Sequence, residues 1–150
     1  MATHQFVLAK FDLLIMINFG QTIKSTNQGL CGHFKSLIMD IEKIIDQWIA
    51  VSNDYDTDKY LAFYTEDAIF DDPSVGRKFN GRTGIKEYFN SYFIGYKTQT
   101  KKVELILKEE NQAHLEVEFT GDFPEGKIGG TFDFKFEAGK IIYVLADLIK

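Results

Sequence analysis

Cysteine is almost missing from this chain of 150 residues, with Cys31 standing alone. One thiol closes no intramolecular disulfide and supplies no thiolate cluster for a metal. Such a chain agrees with a reducing compartment, and a cytoplasmic location is expected. Histidine is scarce too: there are three, and only His114 lies beyond residue 38. That inventory offers no transition-metal site of usual composition, so no metal or cofactor is expected. Long apolar runs are also lacking. The greasiest window, Phe6 to Phe19, is interrupted by Lys10 and Asp12 and is shorter than the roughly 20 residues a spanning helix needs. It lacks the basic start and small-residue cleavage site of a signal peptide. Stable membrane insertion is not expected. There is no phosphate-cradling glycine loop, activated-nucleophile motif, internal repeat or low-complexity tract.

Positive charge is in deficit. The net charge is -5, and residues 39–150 carry 14 basic against 21 acidic side chains. An acidic body repels phosphate backbones, so nucleic acid is not an expected partner. Arg77, Lys78, Arg82 and Lys86 cluster around one turn and read as a solvated rim. What the chain has in abundance is apolar and aromatic side chains, 45% and 15% of the residues, with fourteen Phe. That is the composition of one globular domain with a real core.

Periodicity begins abruptly at residue 39. Residues 1–38 carry no pattern and read as an N-terminal extension, with Met39 a candidate start of translation and 39–150 the domain. Ile41, Ile44, Ile45, Trp48 and Ile49 recur at helical spacing, predicting a helix over about 40–53. Asp56 or Thr57 caps a second helix carrying Tyr60, Leu61, Phe63 and Tyr64. The series Asp54-Tyr-Asp56-Thr-Asp58 mimics the start of a calcium loop. It has Lys59 where the turn needs Gly and Thr65 where a bidentate Glu is needed, so helix capping explains the acids better. A short strand follows at about 68–72, ended by Pro73. Ile85, Tyr88, Phe89 and Tyr92 predict a third helix over about 83–95.

Beyond Gly95 the period becomes two. Val103, Leu105 and Leu107 form one such set, Leu115, Val117 and Phe119 another, and Ile128 to Phe136 a third. Glu137 to Lys140 is a hairpin turn, and Ile141 to Ile149 is apolar on both faces, as a covered strand is. Helices first and antiparallel strands later predict an α+β fold with helices packed on one face of a sheet.

Several pieces in order carry a family resemblance. They are the acidic cap Asp54-Tyr-Asp56, the segment Tyr64-Thr-Glu66-Asp67-Ala68, the pair Asp72-Pro73, Gly81 with Ile85-Lys-Glu87, and the phrase Phe134-Lys-Phe-Glu-Ala-Gly-Lys-Ile141. Residues 40–150 thereby resemble the nuclear transport factor 2-like superfamily, in particular its SnoaL-like and steroid delta-isomerase branches. The resemblance implies a cone-shaped fold of three N-terminal helices on a curved, mostly antiparallel sheet. It also implies a homodimer formed through the sheet and an apolar pocket for a small hydrophobic or carbonyl-bearing molecule.

In the delta-isomerases the carboxylate before this proline is the base, and Asp72 falls on that position. A tyrosine and a protonated aspartic acid there hold the enolate oxygen. Those positions are Trp48 and Phe132 in this chain, and a supporting tyrosine falls on Phe89, beside Tyr88. The acid and histidine of the polyketide cyclases have no match at Tyr143 to Ala146. Aspartate before proline is also a common turn residue, so Asp72 reads either as a turn former or as a pocket acid. Trp48, Tyr60, Tyr64, Tyr88, Phe89, Tyr92, Phe132 and Phe134 are candidate ligand-binding residues, with core packing as the alternative for each. His114 shares its strand face with Glu116 and Glu118, opposite the core-facing Leu115 and Val117. The leading expectation is a ligand-binding domain. The alternatives are an isomerase, cyclase or dehydratase using Asp72 as acid/base, and an interaction module using the open sheet face.

Overall fold

The computed structural model describes residues 40–150. The extension at 1–38 and the candidate start at Met39 lie outside the described residues. Helix α1 occupies residues 40–53 and buries Ile41, Ile45, Trp48, Ile49 and Ser52. These positions form one stripe at helical spacing, as the sequence predicts. The chain leaves α1 through Tyr55, whose φ of 58° is left-handed. Helix α2 (Thr57–Leu61) is capped by Asp56, whose side chain accepts from the Lys59 N–H at 3.1 Å. That bond satisfies a donor the helix start leaves open.

Strands β1 (Tyr64–Asp72) and β2 (Arg77–Asn80) come next, followed by α3 (Gly81–Tyr88) and a π-helical segment, Phe89–Ile94. The remaining strands are β3 (Gln99–Leu107), β4 (Gln112–Thr120), β5 (Lys127–Glu137) and β6 (Lys140–Ile149). They form one six-stranded mixed sheet in the order β2-β1-β6-β5-β4-β3. The β1–β6 pair is parallel and the other four pairs are antiparallel. The chain is thus an α+β domain with its helices interspersed among the early strands.

Alternation explains the sheet. Ala113, Leu115, Val117 and Phe119 of β4 are buried, as are Phe132, Phe134 and Phe136 of β5. Their neighbours, His114, Glu116, Thr131 and Asp133 among them, lie on the other face and are only half-buried. The β5–β6 hairpin turns on Ala138 and Gly139, with φ of 50° and 79°. Two left-handed residues make the turn that matches strand twist. β6 lies between β1 and β5, but it is not covered on both faces as the sequence predicts: only Ile141, Val144 and Ala146 are buried, while Ile142, Tyr143 and Leu145 are half-buried.

Two boundaries differ from the sequence expectation. β1 starts at Tyr64 rather than at 68, because a register shift between Tyr64 and Ile69 hides the alternation. A bulge of this kind puts an extra residue into the strand and breaks period two. The third helix does not continue as an α-helix to 95. From Phe89 the bonding becomes π-type, with the Gly95 N–H donating to the Asn90 carbonyl at 2.9 Å. The extra residue per turn moves Phe93 into the core and leaves Tyr92 half-buried.

The end of α1 is fastened to β3 by Asn53. Its Oδ1 accepts from the Thr100 N–H at 2.7 Å, and its Nδ2 donates to the Thr100 carbonyl at 2.9 Å. The amide therefore pairs with an edge strand as a further strand would. Replacing it (Asn53→Ala) orphans both Thr100 groups. The expected loss in urea unfolding free energy is about 1–3 kcal/mol. An unchanged midpoint would mean that water takes over both bonds.

Candidate functional site

The helices meet the sheet through aromatic side chains. The Trp48 ring lies edge-on to Phe132 and Phe134, with centroids 5.1 and 5.2 Å away. Tyr60 of α2 stacks on Phe89 at 3.9 Å. Phe70 of β1 packs on Tyr88 of α3 at 4.2 Å. Seven of the eight candidate binding residues (Trp48, Tyr60, Tyr64, Tyr88, Phe89, Phe132 and Phe134) are buried and share this interior. Tyr92 sits at its rim, half-buried. The positions expected to hold an enolate oxygen, Trp48 and Phe132, are direct neighbours.

Asp72 ends β1 with 4% of its surface exposed. Its two oxygens face different ways. Oδ1 accepts from the Ser74 backbone N–H at 2.9 Å and the Ser74 hydroxyl at 2.5 Å, the local turn an Asp-x-Ser sequence favours. Oδ2 accepts from the buried Tyr88 hydroxyl at 2.7 Å. The turn role is filled by Oδ1, while Oδ2 is turned to a buried hydroxyl. The tyrosine that reaches it is Tyr88; the adjacent Phe89 stacks instead on Tyr60.

A second polar group lies among the rings. The Trp48 Nε1–H donates to the Tyr64 hydroxyl at 3.0 Å, and the Tyr64 and Tyr60 hydroxyls are hydrogen-bonded to each other at 2.9 Å. Burial pushes the Tyr60 and Tyr64 hydroxyls well above the ordinary phenol pKa. For Tyr60 the neighbouring Tyr64 adds to the rise, whereas bonds from Tyr60 and Trp48 partly offset it for Tyr64. Burial raises Tyr88 as well, followed by the charge of Asp72 and the hydrogen bond to it. All three phenols are therefore protonated donors at neutral pH.

Two open depressions of about 400 and 410 Å³ flank α1, the first around Glu42, Asp46 and Gln47 and the second around Val51, Lys59 and Phe63. Neither touches Asp72 or the paired tyrosines, and the charged side chains that line them, Glu42, Lys43, Asp46 and Lys59, are exposed to solvent. Size alone is a poor guide here, and the buried polar groups are the better candidates.

Sequence comparison identifies the family. Residues 45–144 match the model of the SnoaL-like domain. The chain belongs to the SnoaL-like domain family. No curated protein matches it. The fold is shared with a candidate polyketide cyclase of Sinorhizobium meliloti, at 19% identity and a TM-score of 0.65, over 72% of this chain and 96% of that one. It is also shared with a candidate ketosteroid isomerase of Kribbella flavida, at 14% identity and a TM-score of 0.66, over 75% of this chain and 79% of that one. A de novo designed protein with a curved β-sheet reaches a TM-score of 0.63 at 12% identity, over 74% of this chain and 86% of that one. The designed protein shows how little the architecture alone says about chemistry.

His114 of the SnoaL-like domain lies on the outer sheet face, with Nδ1 2.7 Å from Asp133 Oδ1. It is remote from the aromatic interior, as strand parity predicts. Sequence reasoning missed Ser74 and Phe93. The Asp72-Pro73-Ser74 turn was a usable signal for Ser74, whereas nothing in the sequence announced the π-type turn that buries Phe93.

The buried phenols make stability pH-dependent. Below about pH 10 they are protonated in both folded and unfolded chains. Above it the unfolded chain releases those protons first, while the folded chain keeps them because its pKa values are higher. Stability should fall as pH rises beyond about 10. Urea titrations at about pH 8 and about pH 11 measure this. Phenolate absorbance from these three residues should appear together with unfolding; earlier titration in the folded protein would contradict their burial.

Proposed function

We propose that this SnoaL-like domain binds a small hydrophobic molecule bearing a carbonyl group, between its helices and the inner face of its sheet. The observation that carries this reading is the buried Asp72–Tyr88 pair, held inside an aromatic interior. A carboxylate in such surroundings is costly unless it is bonded, and apolar walls with a few convergent polar groups are what small-molecule sites use. The row Tyr88, Tyr92, Tyr96 supports an approach route. It runs from the buried Asp72 partner through a half-buried ring to one 42% exposed, with neighbouring centroids 5.1 and 6.4 Å apart. The rings are in contact, so entry requires Tyr88 or Tyr92 to turn aside.

The test is a thermal-shift screen of the full chain against hydrophobic ketones, enones and lactones, beside Asp72→Asn. The variant retains the shape but loses an acceptor. The free protein should be destabilised by about 1–3 kcal/mol. A ligand that stabilises the wild type should stabilise the variant by a different amount. Ligands indifferent to the change would remove Asp72 from the site.

A second reading makes the domain an isomerase, cyclase or lyase with Asp72 as acid/base. It is favoured by the two-sided bonding of Asp72, from buried Tyr88 to exposed Ser74, which gives a proton taken inside a way out. A compound whose binding depends on Asp72 is the one on which proton transfer is to be assayed.

The outer sheet face supports a homodimer. Ile106, paired with His114, is exposed there. Tyr143 and Leu145 are half-buried, beside the Asp71–Tyr143 and Asp133–His114 bonds. Light scattering at micromolar concentration should give twice the chain mass, and a strict monomer would remove the dimer. Among the described residues no helix is long and apolar enough to cross a membrane. The single cysteine supports a reducing, cytoplasmic setting.

A further inference from the structure

One row of side chains crosses the outer sheet face on all six strands. The registers place Lys78 of β2 beside Asp71 of β1, followed by Leu145 on β6, Asp133 on β5, His114 on β4 and Ile106 on β3. The row is complementary to its own reverse. A two-fold axis along the strands, passing between β6 and β5, lays the row of one copy on the reversed row of a second. Ile106 then faces Lys78, Leu145 faces Asp133, and His114 faces Asp71. No like charges of the row meet, and a self-matching patch is what an isologous dimer needs. His114 is half-buried, with Nδ1 2.7 Å from Asp133 Oδ1. Asp71 is half-buried too, and the Tyr143 hydroxyl and Lys78 both approach its Oδ2, at 2.9 and 4.0 Å. Its Oδ1 is left to accept another donor.

We infer that acid tightens the sheet-face dimer, because charged His114 bonds its own Asp133 and Asp71 of a second copy at the same time. The inference rests on the homodimer reading and adds its regulation. A neutral imidazole carries one N–H, and both nitrogens donate only in the charged ring. With Nδ1–H given to Asp133, a neutral His114 turns a lone pair toward Asp71, and two acceptors meet. Charged His114 supplies the missing donor. Each copy thereby takes up one proton on association, so falling pH favours the dimer over its monomers. The other charged groups around His114 are Glu116 on β4, Glu104 of β3, Lys108 just beyond it, and Lys135 on β5. Two acids and two bases cancel, and such groups keep their charge where histidine changes its own, between about pH 5 and 8. Below about pH 4 the carboxylates themselves take up protons and the bond is lost.

One experiment separates the inference from the reading beneath it. Sedimentation velocity of the full chain over a concentration series gives the dimer Kd at about pH 8 and about pH 6, on either side of the histidine range. The wild-type Kd should be about tenfold lower at the acid value, the worth of a charge-assisted hydrogen bond. His114→Gln keeps a donor for Asp133 but takes up no proton. Asp71→Asn removes the charge that the imidazolium meets and leaves an oxygen for Tyr143. Each variant should still dimerise, with the same Kd at both pH values, and circular dichroism checks that each folds. The two substitutions lie on different strands, so either one alone carries the test. A wild-type Kd that is constant, or that rises in acid, overturns the inference and leaves the homodimer reading standing. A pH response that survives in a folded variant overturns it as well. A strict monomer at both pH values overturns both.

Discussion

Everything inside this domain is positioned by the edge-on packing of Trp48 against Phe132 and Phe134. It is the direct join between α1 and the centre of the sheet. Pairs of this geometry contribute about 0.5–1.5 kcal/mol each beyond their buried area. They also orient the indole. With its edge fixed by two phenylalanines of β5, Nε1 reaches Tyr64 on β1, and through Tyr64 the hydroxyl of Tyr60 on α2. One side chain thus ties three elements in the interior, and the polar chain within it inherits the rigidity of the apolar packing.

Much of this was legible in the chain. The α1 stripe and the alternation of β4 and β5 follow from burial on one face, and they appear at the expected residues. The start of β1 was not legible. Tyr64 to Asp67 contains two acids and a threonine, and the bulge before Ile69 hides the strand period. The π-type segment was illegible for a related reason: periodicity assumes a constant number of residues per turn, and an inserted residue shifts every later position. Hence Tyr92 was expected inside and Phe93 was not noticed. At the candidate site Asp72 was found from its proline, but its partner was not assigned. Tyr88 and Phe89 are adjacent, and only the orientation of α3 decides which one faces the carboxylate.

The fold places two polar groups in one apolar interior. Asp72 bonds Tyr88 and reaches the surface through Ser74. The Trp48–Tyr64–Tyr60 series lies wholly within. They are not independent, since Tyr88 raises the pKa of Tyr60 and Tyr64 raises that of Tyr88.

The polar groups of this interior depend on one another. Replacing both partners of a buried hydrogen bond by apolar groups of the same shape is often neutral or stabilising. Phenylalanine already fills neighbouring positions at 89, 93, 132 and 134. With phenylalanine at 64, however, the buried Trp48 N–H would lose its acceptor, at a cost of about 1–3 kcal/mol. The tyrosine at 64 is thus required by the indole, whereas the phenylalanines around it need no polar partner.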